Sequence, residues 1–166
     1  MTQECGCAYV ALRALVRLER LDGATVPLDA SLELAERAEA DCQMLLQCET
    51  CRQRSLALFS ATALSTCVLD WLRRSWQLDS CGEADHRPPQ IALGDYNLDP
   101  ADAETLSREL MALRLSHIAN VMTSLRATIS TLGAVPAQAC LGVVQANLQQ
   151  LRDYIHRVRI VSSASN

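Results

Sequence analysis

An all-α bundle is what this sequence predicts, on three observations. Apolar residues recur at three- and four-residue spacings along most of the chain. No alternating run is long enough to build a sheet. Gly and Pro gather at a few points that divide the chain into about five principal helices, the last two long enough to form an antiparallel hairpin. The first helix runs over about residues 5–22, with Ala8, Leu12, Leu15 and Leu18 on the face expected to be buried and Arg13, Arg17 and Arg20 on another. Gly23 and Pro27 break it, and Asp29 or Ser31 can cap a second helix carrying Leu32, Ala35, Ala38, Cys42, Leu45 and Leu46.

After a connection over 48–54 comes the most apolar stretch. Leu56, Phe59, Ala63, Cys67 and Trp71 form one stripe, and Leu58, Leu69, Leu72 and Trp76 form another; a helix apolar on two sides belongs between other helices. Residues 77–98 contain Gly82, Pro88, Pro89 and Gly94 and read as one long connecting loop. Asp99 followed by Pro100 opens a long fourth helix, because the carboxylate accepts an orphan amide and proline tolerates the first turn. Met111, Leu115, Ile118, Met122, Leu125, Ile129 and Leu132 form its seam, and Gly133 and Pro136 end it. Leu141, Val144, Leu148, Leu151, Ile155 and Val158 give the last helix a matching seam, followed by a tail at 162–166 expected to fray.

The whole length, 166 residues, fits a single helical domain with a core that needs no disulfides. Fifteen basic against nineteen acidic side chains give a net charge of −4, which argues against direct nucleic-acid binding through overall electrostatics. All the basic side chains are arginine, and without lysine a P-loop phosphate site, a pyridoxal Schiff base and a lysine nucleophile are excluded. The amphipathic, arginine-bearing start lacks a signal core, and no run reads as a bilayer span, so a soluble, intracellular chain with reduced thiols and no membrane partner is expected.

The stretch from Leu32 to Leu72, with Cys48 and Cys51 in a C-x-x-C element and Asp70 before Trp71, is followed by Gly94, Asp95 and Tyr96 in a G-x-Y motif with nearby acids. Together they resemble the C-terminal regulatory domain of fungal zinc-cluster transcription factors of the aflatoxin-regulator type, over most of the chain. The resemblance implies a regulatory, protein- or metabolite-binding domain of secondary metabolism, acting in the nucleus on a partner from the transcription machinery or on a hydrophobic small molecule. The six-cysteine DNA-reading cluster of such proteins has no counterpart here, since the eight cysteines are scattered. The alternative is a stand-alone, cofactor-independent helical enzyme derived from that domain, cytoplasmic, acting as isomerase, cyclase or dehydratase on an apolar polyketide or terpenoid.

The residues offer few handles for chemistry. His117, Tyr96, Asp95 and His86 are the acid–base candidates if the chain is an enzyme, with His117 otherwise a core histidine and His86 a loop residue. Phe59, Trp71, His117 and Tyr96 are the candidates for lining a ligand cavity. Cys48 and Cys51 read most simply as a thiol-lined turn; a tetrahedral zinc site would need completion by Cys42 or the Cys5/Cys7 pair, and no metal or other cofactor is expected. The heptad seams also permit a homodimer.

Overall fold

The computed structural model describes residues 5–80, 89–133 and 135–163. Among them the chain forms α1 (Cys7–Arg20), α2 (Leu28–Gln47), α3 (Ser55–Ser75), α4 (Pro100–Leu132) and α5 (Val135–Ser163). A short 3-10 turn, Cys51–Gln53, precedes α3. Between α3 and α4, β1 (Ala92–Leu93) and β2 (Tyr96–Asn97) pair antiparallel, Ala92 opposite Asn97 and Leu93 opposite Tyr96. This hairpin falls inside the segment expected to be loop throughout. Its tight reversal uses Gly94 at φ +61°, a conformation that costs glycine little.

The fourth helix begins as expected. Asp99 Oδ1 accepts from the backbone N–H of Ala101 and of Asp102, both at 2.9 Å, with Pro100 at the first helical position. Gly133 closes α4 in the left-handed conformation at φ +60°. Pro136, expected to end that helix, instead lies in the opening turn of α5, where its missing N–H costs nothing. Leu115, Ile118, Met122, Leu125 and Ile129 of α4 and Val144, Leu148 and Leu151 of α5 are buried, as their seams require of an antiparallel pair.

The central helix is α3, which packs against each of the other four helices. By length and composition it could cross a membrane, and its enclosure in the bundle accounts for that apolar character. Only part of the expected two-sided pattern is covered. Leu58, Leu64, Leu69, Leu72 and Trp71 are buried, whereas Leu56 and Phe59 are exposed because the surrounding helices leave the 56–59–63 edge uncovered.

Two further expectations are corrected. In α1 the buried positions are Ala11, Ala14 and Leu18, and Leu12 is 51% exposed. Since α1 packs on both α2 and α3, alanines at the contact let the helix axes approach, and the helix is rotated to present them. Neither Asp29 nor Ser31 caps α2, which starts at Leu28 behind Pro27 and so places both inside the first turn. The fully buried Ser31 hydroxyl donates to the Leu28 carbonyl at 2.7 Å and accepts from the Trp76 indole N–H at 2.8 Å, joining α2 to the end of α3.

A polar cluster ties the end of α3 to α5. The Tyr154 hydroxyl donates to Asp79 Oδ1 at 2.8 Å and accepts from the Gln150 amide, while Arg73 bonds Asp79 Oδ2 at 2.9 Å. Arg157 stacks over the Tyr154 ring, 5.3 Å from its centroid. The Tyr154 hydroxyl, with Arg73 beside it, holds the Asp79 carboxyl below the usual carboxylate range. A depressed folded-state value stabilises the fold above the unfolded carboxylate value, about 3.9, and that stabilisation is lost as pH falls through the folded one. The difference in stability between the native chain and Asp79→Asn should therefore be level from neutral pH down to roughly 5 and shrink below about 4. Urea titrations across pH check this, and a gap that persists undiminished to the lowest pH would refute it.

Candidate functional site

The N-terminal end of the bundle gathers four thiols. Cys5 lies just before α1 and Cys7 is its first residue, two positions apart because Gly6 is the only residue between them. Cys48 terminates α2 in extended conformation, which turns the chain, and Cys51 opens the 3-10 turn that leads into α3. That corner is held by backbone bonds from Arg52 N–H to the Cys48 carbonyl and from Arg54 N–H to the Cys51 carbonyl, both 3.0 Å. The four Sγ atoms all lie within 4.8 Å of one another. Cys51 is buried and the other three are partly buried.

The thiols are not equivalent. The backbone N–H of Cys51, helped by the neighbouring thiols and the Thr50 N–H, pulls Cys48 down to about 7, so that its thiolate is accessible at neutral pH. Burial pushes Cys51 up, reinforced by the Cys5 and Cys48 sulfurs, and burial also raises Cys7. Cys5 Sγ and Cys51 Sγ are 2.9 Å apart, well beyond the roughly 2.05 Å of a disulfide. Such a cluster can do two things chemically: ligate a soft or borderline metal ion, or exchange thiol for disulfide.

The pairing of Cys48 and Cys51 with the Cys5/Cys7 pair is one of the two completions the spacing allowed. The other, Cys42, faces the core: it is 3% exposed, its thiol lies 3.9 Å from the Ala61 carbonyl, and burial pushes it up to about 12. Cys140 is buried in α5, and Cys67 lies part-buried on α3. No single motif flagged the four-thiol set, because its halves stand more than forty residues apart with α1 and α2 between them.

The acid–base and ligand candidates are scattered. Trp71 is buried in the core at 3% exposure, while Phe59 on the same helix is 38% exposed. Asp95 and Tyr96 sit at the tip of the exposed hairpin. His117 is not the core histidine expected; its side chain is 41% exposed, with Nδ1 3.7 Å from Glu39 of α2. That carboxylate is engaged at 3.0 Å by Arg114, a mostly buried arginine that joins α4 to α2 and that sequence reasoning passed over. Among the described residues, the ion-pair partner of His117 is Glu39 of α2, and no hydrogen bond or ion pair joins it to Asp95 or Tyr96. His86 lies outside the described residues.

Beside the uncovered edge of α3 at Leu56 and Phe59, α1 also shows apolar residues to solvent. Tyr9, Leu12 and Val16 occupy successive turns of α1 at 66%, 51% and 51% exposure, bordered by Arg13, Arg17 and Arg20. Arg13 lies over the Tyr9 ring, 5.8 Å from its centroid. No family model matches the chain, and neither a curated protein nor a solved structure is significantly similar to it.

Proposed function

We propose that this chain is a partner-binding regulatory domain of a fungal secondary-metabolism transcription regulator of the aflatoxin-regulator type, acting in the nucleus through a protein contact and not on DNA itself. The observation that carries the reading is the outer face of α1, where Tyr9, Leu12 and Val16 form an apolar stripe edged by arginine. An aromatic–aliphatic centre with an arginine rim is the composition that protein interfaces favour. The scattering of His117, Tyr96 and Asp95 gives the enzyme reading no comparable support, since acid–base catalysis needs two such groups within reach of one substrate. A hydrophobic metabolite held between Trp71 and His117 has as little behind it, because one is enclosed in the core and the other is paired at the surface.

The test tethers the full chain to an unrelated DNA-binding domain in a fungal reporter strain and compares it with the Leu12→Glu/Val16→Glu variant. Both substitutions are at exposed positions, so the thermal midpoint should stay within a few degrees. Reporter output should change with the native chain and return to baseline with the variant. Equal output from both, or no effect of tethering the native chain, refutes the proposal. Conversion of a native dimer to monomer by the same variant, with reporter output unchanged, would assign the stripe to self-association instead.

A further inference from the structure

The geometry points to a mononuclear zinc site in which Cys5, Cys7, Cys48 and Cys51 hold one Zn2+ through four thiolates and the ion fastens the start of α1 to the corner between α2 and α3.

The donor set is the first argument. Four sulfurs and no carboxylate or water-bearing position is the ligand set of a closed, structural tetrahedral zinc site. Spacing is the second. With Zn–S near 2.3 Å, a regular tetrahedron has edges of roughly 3.8 Å, and the four Sγ atoms here all lie within 4.8 Å of one another. To accept the ion, the 2.9 Å contact between Cys5 and Cys51 must open to roughly 3.8 Å. An iron–sulfur cluster with several metal atoms would spread its thiolates farther than this, so the separations select a single ion.

Local chain geometry is the third argument. Cys48 and Cys51 flank a tight corner closed by the backbone bonds from Arg52 N–H to the Cys48 carbonyl and from Arg54 N–H to the Cys51 carbonyl, both 3.0 Å, which hold the pair in place. A pre-set ligand pair lowers the ordering cost of binding an ion. Cys5 and Cys7 lie at the start of α1, which has no side-chain cap there, and both pack against the core beside the α2–α3 corner. Joining the two pairs closes a loop of more than forty residues, so binding free energy becomes folding free energy for the N-terminal part of the bundle. Binding one Zn2+ to four thiols releases four protons to solvent and leaves a site of net charge −2, with no change of oxidation state. Arg52 and Arg54 follow in sequence at the same corner and supply positive charge nearby.

The experiment uses the full chain, expressed in zinc-supplemented medium and purified with a phosphine reductant and no chelator. Elemental analysis should return one zinc per chain, and X-ray absorption at the zinc edge should return four sulfurs at about 2.3 Å. Exchange for Co2+ should give the intense visible bands of a tetrahedral four-thiolate ion. The Cys5→Ser/Cys48→Ser double variant should lose the zinc, whereas Cys67→Ser and Cys140→Ser should each keep one per chain. Measurements on the native chain decide the matter even where the double variant fails to fold. Metal-free native protein, iron in place of zinc, fewer than four sulfurs around the ion, or full zinc in the double variant each overturn the site. Chelation tests the fastening: trypsin should cut after Arg13, Arg17 and Arg20 at least tenfold faster once zinc is stripped, and unchanged protection of α1 would refute that part.

Discussion

Leu72→Ala is expected to cost the fold about 2–5 kcal/mol, the range for emptying a leucine-sized volume in a well-packed interior. Leu72 is fully buried on α3, the helix that the other four surround, so the neighbours cannot collapse into the gap without disturbing several contacts together. For a chain of this size the loss corresponds to a fall in Tm of roughly 4–20 °C. Circular dichroism melts of Leu72→Ala beside Leu113→Ala provide the contrast, because Leu113 is 51% exposed on α4 and its truncation should stay within about 0.5 kcal/mol. Equal melting of the two variants would mean that α3 is not the central packing element.

Ser31→Ala should destabilise by about 1–3 kcal/mol, far more than removal of one oxygen from a helix suggests. The hydroxyl is the acceptor for the Trp76 indole N–H at 2.8 Å, and both residues are buried, so its removal strands a donor where water does not reach. The cost belongs to the orphaned N–H and not to the serine. On a Trp76→Phe background, which has no donor to strand, Ser31→Ala should cost much less. Additive losses around that double-mutant cycle would refute the coupling.

The helices were legible because their apolar periods are long. The seam from Met111 to Leu132 and its partner from Leu141 to Val158 leave one sensible pairing, and Asp99–Pro100 marks a helix start by chemistry local to four residues. Periodicity was less informative where a helix offers two rival faces. In α1 both the Leu12 side and the Ala11–Ala14 side are apolar, and close packing against two helices chose the alanines. Ser31 is ambiguous for a related reason: serine near a helix start suggests a cap, and only the position of Trp76, forty-five residues away, shows that its hydroxyl is already engaged.

The candidate site was half visible. Cys48 and Cys51 announce themselves by spacing, as do Cys5 and Cys7, but neither pair specifies the other. Their meeting depends on α1 lying against α2 and α3, a consequence of tertiary packing that no local pattern encodes. Arg114 was missed because an arginine on a helix reads as surface until the partner carboxylates of Glu36 and Glu39 are placed against it. The apolar helix neighbours of His117 suggest a core position, whereas it sits where α4 meets Glu39 of α2.

The short connection between α4 and α5 has a kinetic corollary. Residues on either side of Gly133 meet across only a few positions of chain, so the C-terminal hairpin can zip from its turn at little entropic expense. The meeting of Cys5 with Cys51 requires a loop of some forty-six positions to close. Topology therefore favours a sequence of events in which the last two helices are in place early and the amino-terminal segment docks late, once its thiols find the corner prepared for them.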